Sequence, residues 1–312
     1  MSMRHQKCLC VGKCELNRRS GGTLAGMSGR LVFAATPIGN VSDASARLRA
    51  LLASADVVAA EDTRRTADLA RRLELRITGR LVSLHDHNES DRAETLLRVV
   101  RDGGTVLVVS DAGTPGISDP GYRLVQAAIA SGVPVTVAPG PSAVLAGLLL
   151  SGLPTDRFCF EGFMPRKSGE RQRKLQALAA EPRTMVFFES PRRLADSLTA
   201  AVDVFGGDRE GAVCRELTKT HEQVIRGTLA ELAKWARSRH VLGEIVLVVA
   251  GAQVQVAISA AVAEIMARRA DGERLKDAAR AVASATGLSS KELYSAALAA
   301  RSEKTRSEES SG

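Results

Sequence analysis

VLVVSDAGTPGISDPG, residues 106–121, is the stretch that decides the fold of this chain. It starts as a β-branched apolar run and breaks into a loop of Gly, Pro, Asp and small hydroxyl residues. Such a run is typical of a strand buried in a parallel sheet, and the loop then lies at the carboxyl end of that strand. Ligands bind at this end in open α/β sheets, so the stretch predicts a parallel α/β domain with a binding loop.

Two further strand patterns end in loops of the same kind. Leu31–Ala35 runs into TPIGN (36–40), and Val133–Ala138 runs into PGPSA (139–143). Glycine lets the backbone approach a ligand closely, and proline restricts the loop before the ligand binds. We therefore expect the three loops to form three walls of one pocket, although ordinary turns are also rich in Gly and Pro.

Strand and helix patterns alternate over the first half of the chain, which predicts a parallel sheet covered on both faces over 29–152. The strands are predicted near 31–35, 56–60, 80–84, 105–110 and 133–138, and the helices near 43–54, 64–73, 90–102, 119–131 and 141–152.

The second half has a different pattern, which predicts a second α/β domain over 153–251. Its strands are predicted near 158–162, 183–189, 212–217, 221–227 and 244–250, and its helices near 168–180, 191–203 and 228–239. The short spacing between the third and fourth of these strands favours an antiparallel hairpin. A mixed sheet follows from this pairing.

The end of the chain is purely helical in pattern. Leu275–Ala300 holds two helix patterns separated by Gly287 and the N-cap pair Ser289–Ser290, which is the outline of a helix-turn-helix. An ordinary αα-hairpin packed on the core or on a partner subunit fits equally well. We expect a helical extension over 252–302 and a frayed polar tail over 303–312.

Composition excludes several classes of protein. With 45% hydrophobic and 25% charged residues, the chain is typical of a soluble globular protein. The longest apolar stretch, Val144–Leu153, is too short to span a bilayer and predicts a buried helix. Six basic residues and one acidic residue lie in the first 30 positions, so +5 of the +8 net charge is local to that segment. Net charge alone is therefore weak evidence for nucleic-acid binding.

Cysteine spacing argues against a disulfide framework and fits a reducing cytoplasm. The five cysteines are Cys8, Cys10, Cys14, Cys159 and Cys214. The spacing of His5 and the first three cysteines matches no common zinc site, so no metal is expected. We expect residues 1–28 to form a disordered extension.

Familiar nucleotide-binding and metal-binding motifs are missing from the sequence. No G-x-G occurs, which excludes the Rossmann dinucleotide fingerprint. GFMPRKS (162–168) carries Arg166 where a phosphate-binding loop needs its second glycine. His221 and Glu222 do not complete H-E-x-x-H, because Ile225 takes the place of the second histidine.

One local cluster of positive charge begins the second domain. It consists of Arg166, Lys167, Arg171, Arg173 and Lys174, opposed only by Glu170. The cluster is either a solvated helix face or a rim that contacts RNA phosphates beside the cleft.

Six motifs, in this order, resemble those of the 16S ribosomal RNA ribose methyltransferases in the tetrapyrrole-methylase superfamily. They are TPIGN (36–40), AEDTRRT (60–66), SDAGTPGISDPG (110–121), PGPSA (139–143), FFESPRR (187–193) and RELTKTHE (215–222). The resemblance covers about 31–250, and the helical end is similar to that family's helix-turn-helix extension. It implies two α/β domains, with a parallel N-terminal and a mixed C-terminal sheet, and S-adenosylmethionine bound in the cleft between them.

The implied reaction is 2′-O-methylation of a cytidine ribose in the decoding region of 16S rRNA, within the small ribosomal subunit, by a cytoplasmic homodimer. The resemblance implies that the cofactor-binding residues are Pro37, Ile38, Ser110, Asp111, Gly113, Thr114, Ile117, Ser118, Ser142 and Ala143. A ribose hydroxyl is a weak acid, so a base would help the transfer. The candidates are Glu189, Lys219, Glu61, Asp62 and His85, and the sequence does not choose among them.

Two other functions fit parts of the sequence. A related enzyme that methylates carbon on a porphyrin or corrin precursor would also suit the positively charged rim, but its family has a different loop where SDAGTPGISDPG stands. A non-catalytic nucleic-acid-binding regulator would use Leu275–Ala300, but it leaves three ligand-type loops unexplained.

Overall fold

The computed structural model describes residues 29–252, 254–286 and 288–309. The extension expected over 1–28, with His5 and three of the cysteines, lies outside these ranges, and so does Gly287.

The first half forms the predicted parallel sheet, with strand order β3-β2-β4-β1-β5. Its strands are β1 (Arg30–Ala34), β2 (Val57–Ala60), β3 (Arg80–Ser83), β4 (Thr105–Val109) and β5 (Val135–Ala138). A 3-10 helix (Val41–Asp43) and four helices connect them: α1 (Ala46–Ser54), α2 (Thr63–Arg72), α3 (Glu89–Arg101) and α4 (Tyr122–Ala130).

Helices cover both faces of this sheet. Successive strand residues point to opposite faces, so each strand packs against both helix layers. Leu31 and Phe33 pack against α3 and α4 on one face. Val32 and Ala34 pack against α1 and α2 on the other face. Two-sided burial explains why the strands read as continuous apolar runs in the sequence.

The chain reverses its winding direction at β1, which lies between β4 and β5. The crossover from β1 to β2 passes β4, whereas the crossover from β4 to β5 passes β1 in the opposite direction. Such a switch leaves a crevice at the carboxyl ends of the two central strands. TPIGN and SDAGTPGISDPG follow these two strand ends.

The second half forms the expected mixed sheet, with strand order β6-β7-β10-β8-β9. Its strands are β6 (Phe158–Phe163), β7 (Thr184–Glu189), β8 (Glu210–Arg215), β9 (Gln223–Thr228) and β10 (Ile245–Val249). Strands β6 and β7 are parallel, and β8 and β9 form the predicted antiparallel hairpin. Helices α6 (Ser168–Ala177), α7 (Leu194–Phe205) and α8 (Leu229–Arg237) pack on one face of this sheet.

Helix α5 (Ala143–Ser151) covers the other face of the second sheet, although the sequence places it at the end of the first domain. Val144 and Leu148 pack against Val186 and Val246. Gly147 permits this approach, since a Cβ there would lie 2.7 Å from a methyl carbon of Val246. Helix α5 therefore packs on the second sheet, while the boundary after residue 152 stays a prediction.

The C-terminal helices form a separate three-helix bundle. Helices α9 (Val254–Ala270), α10 (Leu275–Thr286) and α11 (Ser290–Glu309) share a core that includes Ile265, Val282 and Leu293. The Ser289 hydroxyl accepts a 3.4 Å hydrogen bond from the Glu292 N–H, as expected of an N-cap. Helix α11 continues to Glu309, so it takes in most of the segment expected as a frayed tail. Within the described ranges, no helix combines the length and apolarity needed to cross a membrane.

Candidate functional site

Two loops at the carboxyl edge of the first sheet are joined through their backbones. Thr36 N–H donates to the Gly113 carbonyl over 2.9 Å, and Gly113 N–H donates to the Thr36 carbonyl over 3.1 Å. The Thr36 hydroxyl donates to the Ser110 carbonyl over 3.2 Å, and the Ser110 hydroxyl donates to the Gly113 carbonyl over 3.3 Å. These bonds fix TPIGN and SDAGTPGISDPG as one rigid edge.

The SDAGTPGISDPG loop has an irregular backbone. Gly113 has a φ of +79°, a conformation that glycine adopts without steric cost. Ser118 also has a positive φ, +62°, which is costly for a residue with a side chain. Strained residues of this kind cluster at ligand sites, where the surrounding structure holds them in place.

A cavity of about 350 Å3 opens between this edge and the second sheet. Its volume falls in the range of about 300–1,000 Å3 that is typical of small-molecule sites. All three predicted loops contribute to its wall, which confirms that they enclose one pocket. The loop residues in the wall are Ile38, Ala112, Gly113, Thr114, Ile117, Ser118, Asp119, Ser142 and Ala143.

The opposite wall comes from the second domain, and of its residues only Glu189 was among the predicted site residues. Its residues, together with the start of α5, are Val144, Phe163, Phe188, Glu189, Ser190, Pro191, Leu217, Gly243, Glu244, Ile245 and Val246. The motifs FFESPRR and RELTKTHE supply several of them, so a signal was present. Which strand ends of the second sheet would face the first sheet could not be read from spacing.

Three of the ten predicted cofactor residues do not line this cavity. Pro37 and Asp111 line a neighbouring cavity, and Ser110 is buried behind the loop. The Asp111 carboxylate accepts a 3.0 Å hydrogen bond from the Asp62 N–H and lies 3.3 Å from the Arg65 guanidinium. In this structure Asp111 therefore anchors the start of α2 to the loop.

The cavity wall carries a titratable carboxyl group at Asp119. The pKa of Asp119 is raised to about 7, chiefly by burial and then by the charges of Glu61 and Asp111, while a hydrogen bond from Ser110 opposes the rise. Burial likewise raises the pKa of Glu61, although a hydrogen bond from the Asp111 backbone opposes it. A cationic ligand would favour the ionised form of these carboxylates.

The neighbouring cavity measures about 610 Å3 and is lined by charged side chains. Its positive residues are Arg64, Arg65, Arg72 and Lys219, and its negative residues are Asp62, Asp68, Asp111 and Glu244. Arg64 and Arg65 are largely exposed, with 90% and 67% of their side chains accessible. The two cavities adjoin, because some residues line both.

Glu189 lines the first cavity, but its carboxylate is fully engaged in the core. It lies 2.8 Å from the Arg193 guanidinium, accepts a 2.6 Å hydrogen bond from the Ser190 N–H and accepts another from the Ser197 hydroxyl. None of its side chain is exposed. Both carboxylate oxygens of this candidate base are thus held by protein groups, and Glu189 acts as a structural anchor.

The other four candidate bases lie at different places. Glu61 accepts a 3.2 Å hydrogen bond from the Asp111 N–H, and Asp62 caps helix α2, where its hydrogen bonds with Arg64 lower its pKa. His85 is exposed and lines neither cavity. Lys219 lines the second cavity and is paired with two glutamates.

Only some residues of the positive cluster near α6 are exposed. Arg171 is buried at 8% exposure because it lies on the same helix face as Leu175. Lys174 is half-buried beside the Glu161 carbonyl and carboxylate. Arg166, Lys167 and Arg173 are exposed, so the expected rim of five cations is a rim of three.

The chain matches a known protein family and has close relatives among named proteins. Residues 30–233 match the family described as Tetrapyrrole (Corrin/Porphyrin) Methylases. A relative from Mycobacterium tuberculosis (strain ATCC 25618 / H37Rv), named Ribosomal RNA small subunit methyltransferase I, is 57% identical over 277 residues, covering 88% of this chain and 97% of the relative. A relative of the same name from Mesorhizobium japonicum is 45% identical, covering 91% of this chain and 94% of the relative.

Solved structures share the fold at low identity. The methyltransferase CobJ superposes with a TM-score of 0.54 at 22% identity, covering 72% of this chain and 94% of that chain. A uroporphyrin-III C-methyltransferase from Thermus thermophilus, in complex with S-adenosylhomocysteine, superposes with a TM-score of 0.50 at 21% identity. The match covers 71% of this chain and 97% of that chain.

Proposed function

The chain belongs to the tetrapyrrole methylase family and, within it, to the ribosomal RNA small subunit methyltransferase I family, and from this premise we propose that it methylates the 2′-oxygen of a cytidine ribose in the decoding region of 16S rRNA. Methylation of ribosomal RNA with S-adenosylmethionine as cofactor is the activity of this family. The observation that carries the proposal is the cavity enclosed by three strand-end loops and the second sheet, beside a second cavity lined with arginine.

The residues of the first cavity fit S-adenosylmethionine. Ile38, Ile117 and Val246 offer apolar walls for the adenine and the methylene groups. Small residues in SDAGTPGISDPG and PGPSA leave room beside the backbone, and Asp119 offers a carboxyl group whose ionised form a cationic ligand would favour. The residues proposed to hold the cofactor directly are Ile38, Gly113, Thr114, Ile117, Ser118, Ser142 and Ala143, with Pro37, Ser110 and Asp111 supporting the loops.

The bound cofactor supplies a methyl group that its sulfonium already activates. The task of the protein is therefore to hold the ribose hydroxyl in line with that methyl group and to exclude water. Positioning of this kind accounts for about 7–11 kcal/mol of barrier lowering in favourable cases. The hydrogen bonds between Thr36 and Gly113 support this role, since they fix the cavity edge before any ligand binds.

The RNA must present an unstacked nucleotide, because a folded A-form helix hides its individual sugars from a deep cleft. Arg166 and Lys167 follow Phe163, a residue of the cavity wall, within four positions. We place phosphate contacts at these two residues and at Arg173. Arg171 and Lys174 support them from the interior of the second domain.

We propose a homodimer for the assembled enzyme. Leu145 and Leu149 lie one turn apart on α5 with 56% and 73% exposure, and Val137 on the edge strand β5 is 49% exposed. The two leucines share one helix face, and exposed apolar patches are typical of protein interfaces. Light scattering should give twice the chain mass for the wild type and a monomer for L145D/L149D. A wild-type monomer would contradict this assembly.

The reaction is tested by transfer of tritium from methyl-labelled S-adenosylmethionine to small ribosomal subunits that lack the modification, followed by nuclease mapping. The expected product is one 2′-O-methylcytidine in the decoding region. Label in a nucleobase, or in a tetrapyrrole offered in place of RNA, would refute the proposed function.

A further inference from the structure

Three of the described residues line both cavities: Ile38, Ala112 and Glu244. A methyl donor held in the first cavity and an acceptor entering through the second must meet where the two cavities adjoin. Ile38 and Ala112 have apolar side chains, so Glu244 is the ionisable residue of that boundary. A proton acceptor is the group that a weakly acidic hydroxyl needs at the point of transfer.

The backbone of Glu244 is fixed by Glu216 from the RELTKTHE loop. Glu244 N–H donates to the Glu216 carboxylate over 2.9 Å, and Glu216 N–H donates to the Glu244 carbonyl over 3.0 Å. The preceding Gly243 permits this contact, since a Cβ there would lie 2.4 Å from the Glu216 carboxyl carbon. The strand-end position of Glu244 is therefore set by a second glutamate that packs over a glycine.

The side chain of Glu244 is oriented but accessible. Lys219 Nζ donates to a Glu244 carboxylate oxygen over 2.9 Å and to Glu216 over 2.8 Å. The Glu244 side chain nevertheless keeps 72% exposure. One carboxylate oxygen is thus held by Lys219, and the other has no hydrogen-bond partner among the described residues and is free to accept a proton.

The loop that holds Glu244 has the features of a functional segment. Glu216 and Thr218 have positive φ angles of 53° and 64°, which are costly for residues with side chains. The Thr218 hydroxyl oxygen is buried with no hydrogen-bond partner among the described residues. Gly39 of TPIGN lies against this loop, since a Cβ there would be 2.8 Å from the Leu217 carbonyl oxygen. Strain and an unpaired polar group are tolerated where function requires them.

The other titratable groups near the boundary are less suited to accept a proton. Burial alone would lower the pKa of Lys219, but hydrogen bonds and charges from Glu216 and Glu244 raise it overall, so Lys219 remains protonated. Glu189 has three partners in the core. Asp119 lines only the cavity assigned to the cofactor.

We propose that Glu244 is the general base of the transfer, an inference that rests on the proposed function. The proton of the ribose 2′-hydroxyl passes to the free Glu244 carboxylate oxygen and is later released to water. The hydroxyl oxygen uses its electron pair to bond the methyl carbon, and the pair of the broken S–C bond stays on sulfur as a neutral thioether. Lys219 holds the carboxylate in the orientation that this proton transfer requires.

The test compares E244Q with E210Q, which removes an exposed carboxylate at the far end of β8 from both cavities. We expect kcat on unmodified small subunits to fall by about 100–10,000-fold in E244Q, the usual range for loss of a general base. The acid limb of the pH–rate profile should disappear in E244Q. Calorimetric affinity for S-adenosylmethionine and the thermal unfolding midpoint should match the wild type, and E210Q should be unchanged throughout.

Each failure has its own signature. If the wild type transfers label to ribose and E244Q does so at the same rate, Glu244 is not the general base. Loss of cofactor affinity in E244Q would overturn that role too, by making Glu244 a cofactor ligand. A wild type that labels a nucleobase, or nothing, would refute the proposed function, and the assignment of Glu244 would fall with it.

Discussion

Thr36 and Gly113 exchange two backbone hydrogen bonds, of 2.9 Å and 3.1 Å, across the carboxyl ends of β1 and β4. The two residues are far apart in sequence but belong to the loops on either side of the winding reversal. This pairing joins the two loops into one edge of the cavity. The geometry of the proposed cofactor site therefore depends on the conformation of Gly113.

Replacement of Gly113 by alanine should weaken cofactor binding. The space beside it is open, with Ile38 at 3.6 Å from an added Cβ, so the cost comes from its φ of +79°. A non-glycine residue in this region costs about 1–2 kcal/mol. G132A is the matched control, because Gly132 has a φ of +65°, open space around it and no part in either cavity. Both variants should lose similar stability in urea unfolding, but only G113A should lose affinity by calorimetry. Equal cofactor affinity in the two variants would contradict the role of Gly113.

The stability of the protein should depend on pH through Asp119. Its pKa is raised from 3.8 to about 7, chiefly by burial, so the folded state holds this proton more tightly than the unfolded state. The stability that this proton provides is complete below about pH 4 and is lost as pH rises through 7. The thermal unfolding midpoint of D119N minus that of the wild type should therefore be larger at pH 8.5 than at pH 5.5. The opposite trend would show that burial of Asp119 is not costly.

Asp119 should also make cofactor binding depend on pH. S-adenosylmethionine carries a sulfonium charge that S-adenosylhomocysteine lacks, and a cation favours the ionised carboxylate. We expect calorimetry near pH 7 to detect proton release when the cationic ligand binds, and less release with S-adenosylhomocysteine. Proton release should vanish in D119N. Equal release from D119N and the wild type would assign the proton to another group.

Glu189 should prove structural. E189Q breaks the contact with Arg193, and loss of one partner from a buried ion pair costs about 3 kcal/mol or more. We expect a large fall in the free energy of unfolding, with methyl transfer at 20 °C retained within a few-fold in the folded fraction. A loss of rate above 100-fold at unchanged stability would instead restore Glu189 as a catalytic residue.

The exposed cations near α6 should contribute to the salt dependence of RNA binding. Each phosphate contact to a single strand contributes about 0.7 to the slope of log affinity against log salt. R166A/K167A/R173A should therefore reduce the slope by about 2 without changing cofactor affinity. R92A/R98A is the control, since both arginines are exposed on α3 and line neither cavity. The control removes two charges instead of three, so an equal slope change per charge removed would assign the effect to net charge alone.

The sequence predicts the elements of the fold well, because strand and helix periodicity are local properties. The three ligand loops were found from Gly, Pro and small residues at strand ends, which is also local information. Packing between distant segments was not accessible in this way. The packing of helix α5 on the second sheet could not be read from the sequence, since its chain neighbours belong to the first sheet.

The same reason explains where the site differs from the sequence-based expectations. Arg171 looked like a surface cation, but its helix face is decided by its contact with the second-domain core. Glu244 follows a glycine at the start of a strand and carries no motif of its own. Its significance appears only when the RELTKTHE loop and the TPIGN loop are brought together in space. Asp119 was within a recognised motif, yet its raised pKa comes chiefly from burial in the folded protein and then from Glu61 at another strand end.

The central claim is that the three strand-end loops and the second sheet enclose the methyl donor. A crystal structure of the protein with S-adenosylhomocysteine tests it most directly. We predict ligand density within contact distance of Ile38, Gly113 and Ser142 from the three loops, and of Val246 from the second sheet. Density at any other place on the molecule, or contact with one loop alone, would contradict the account.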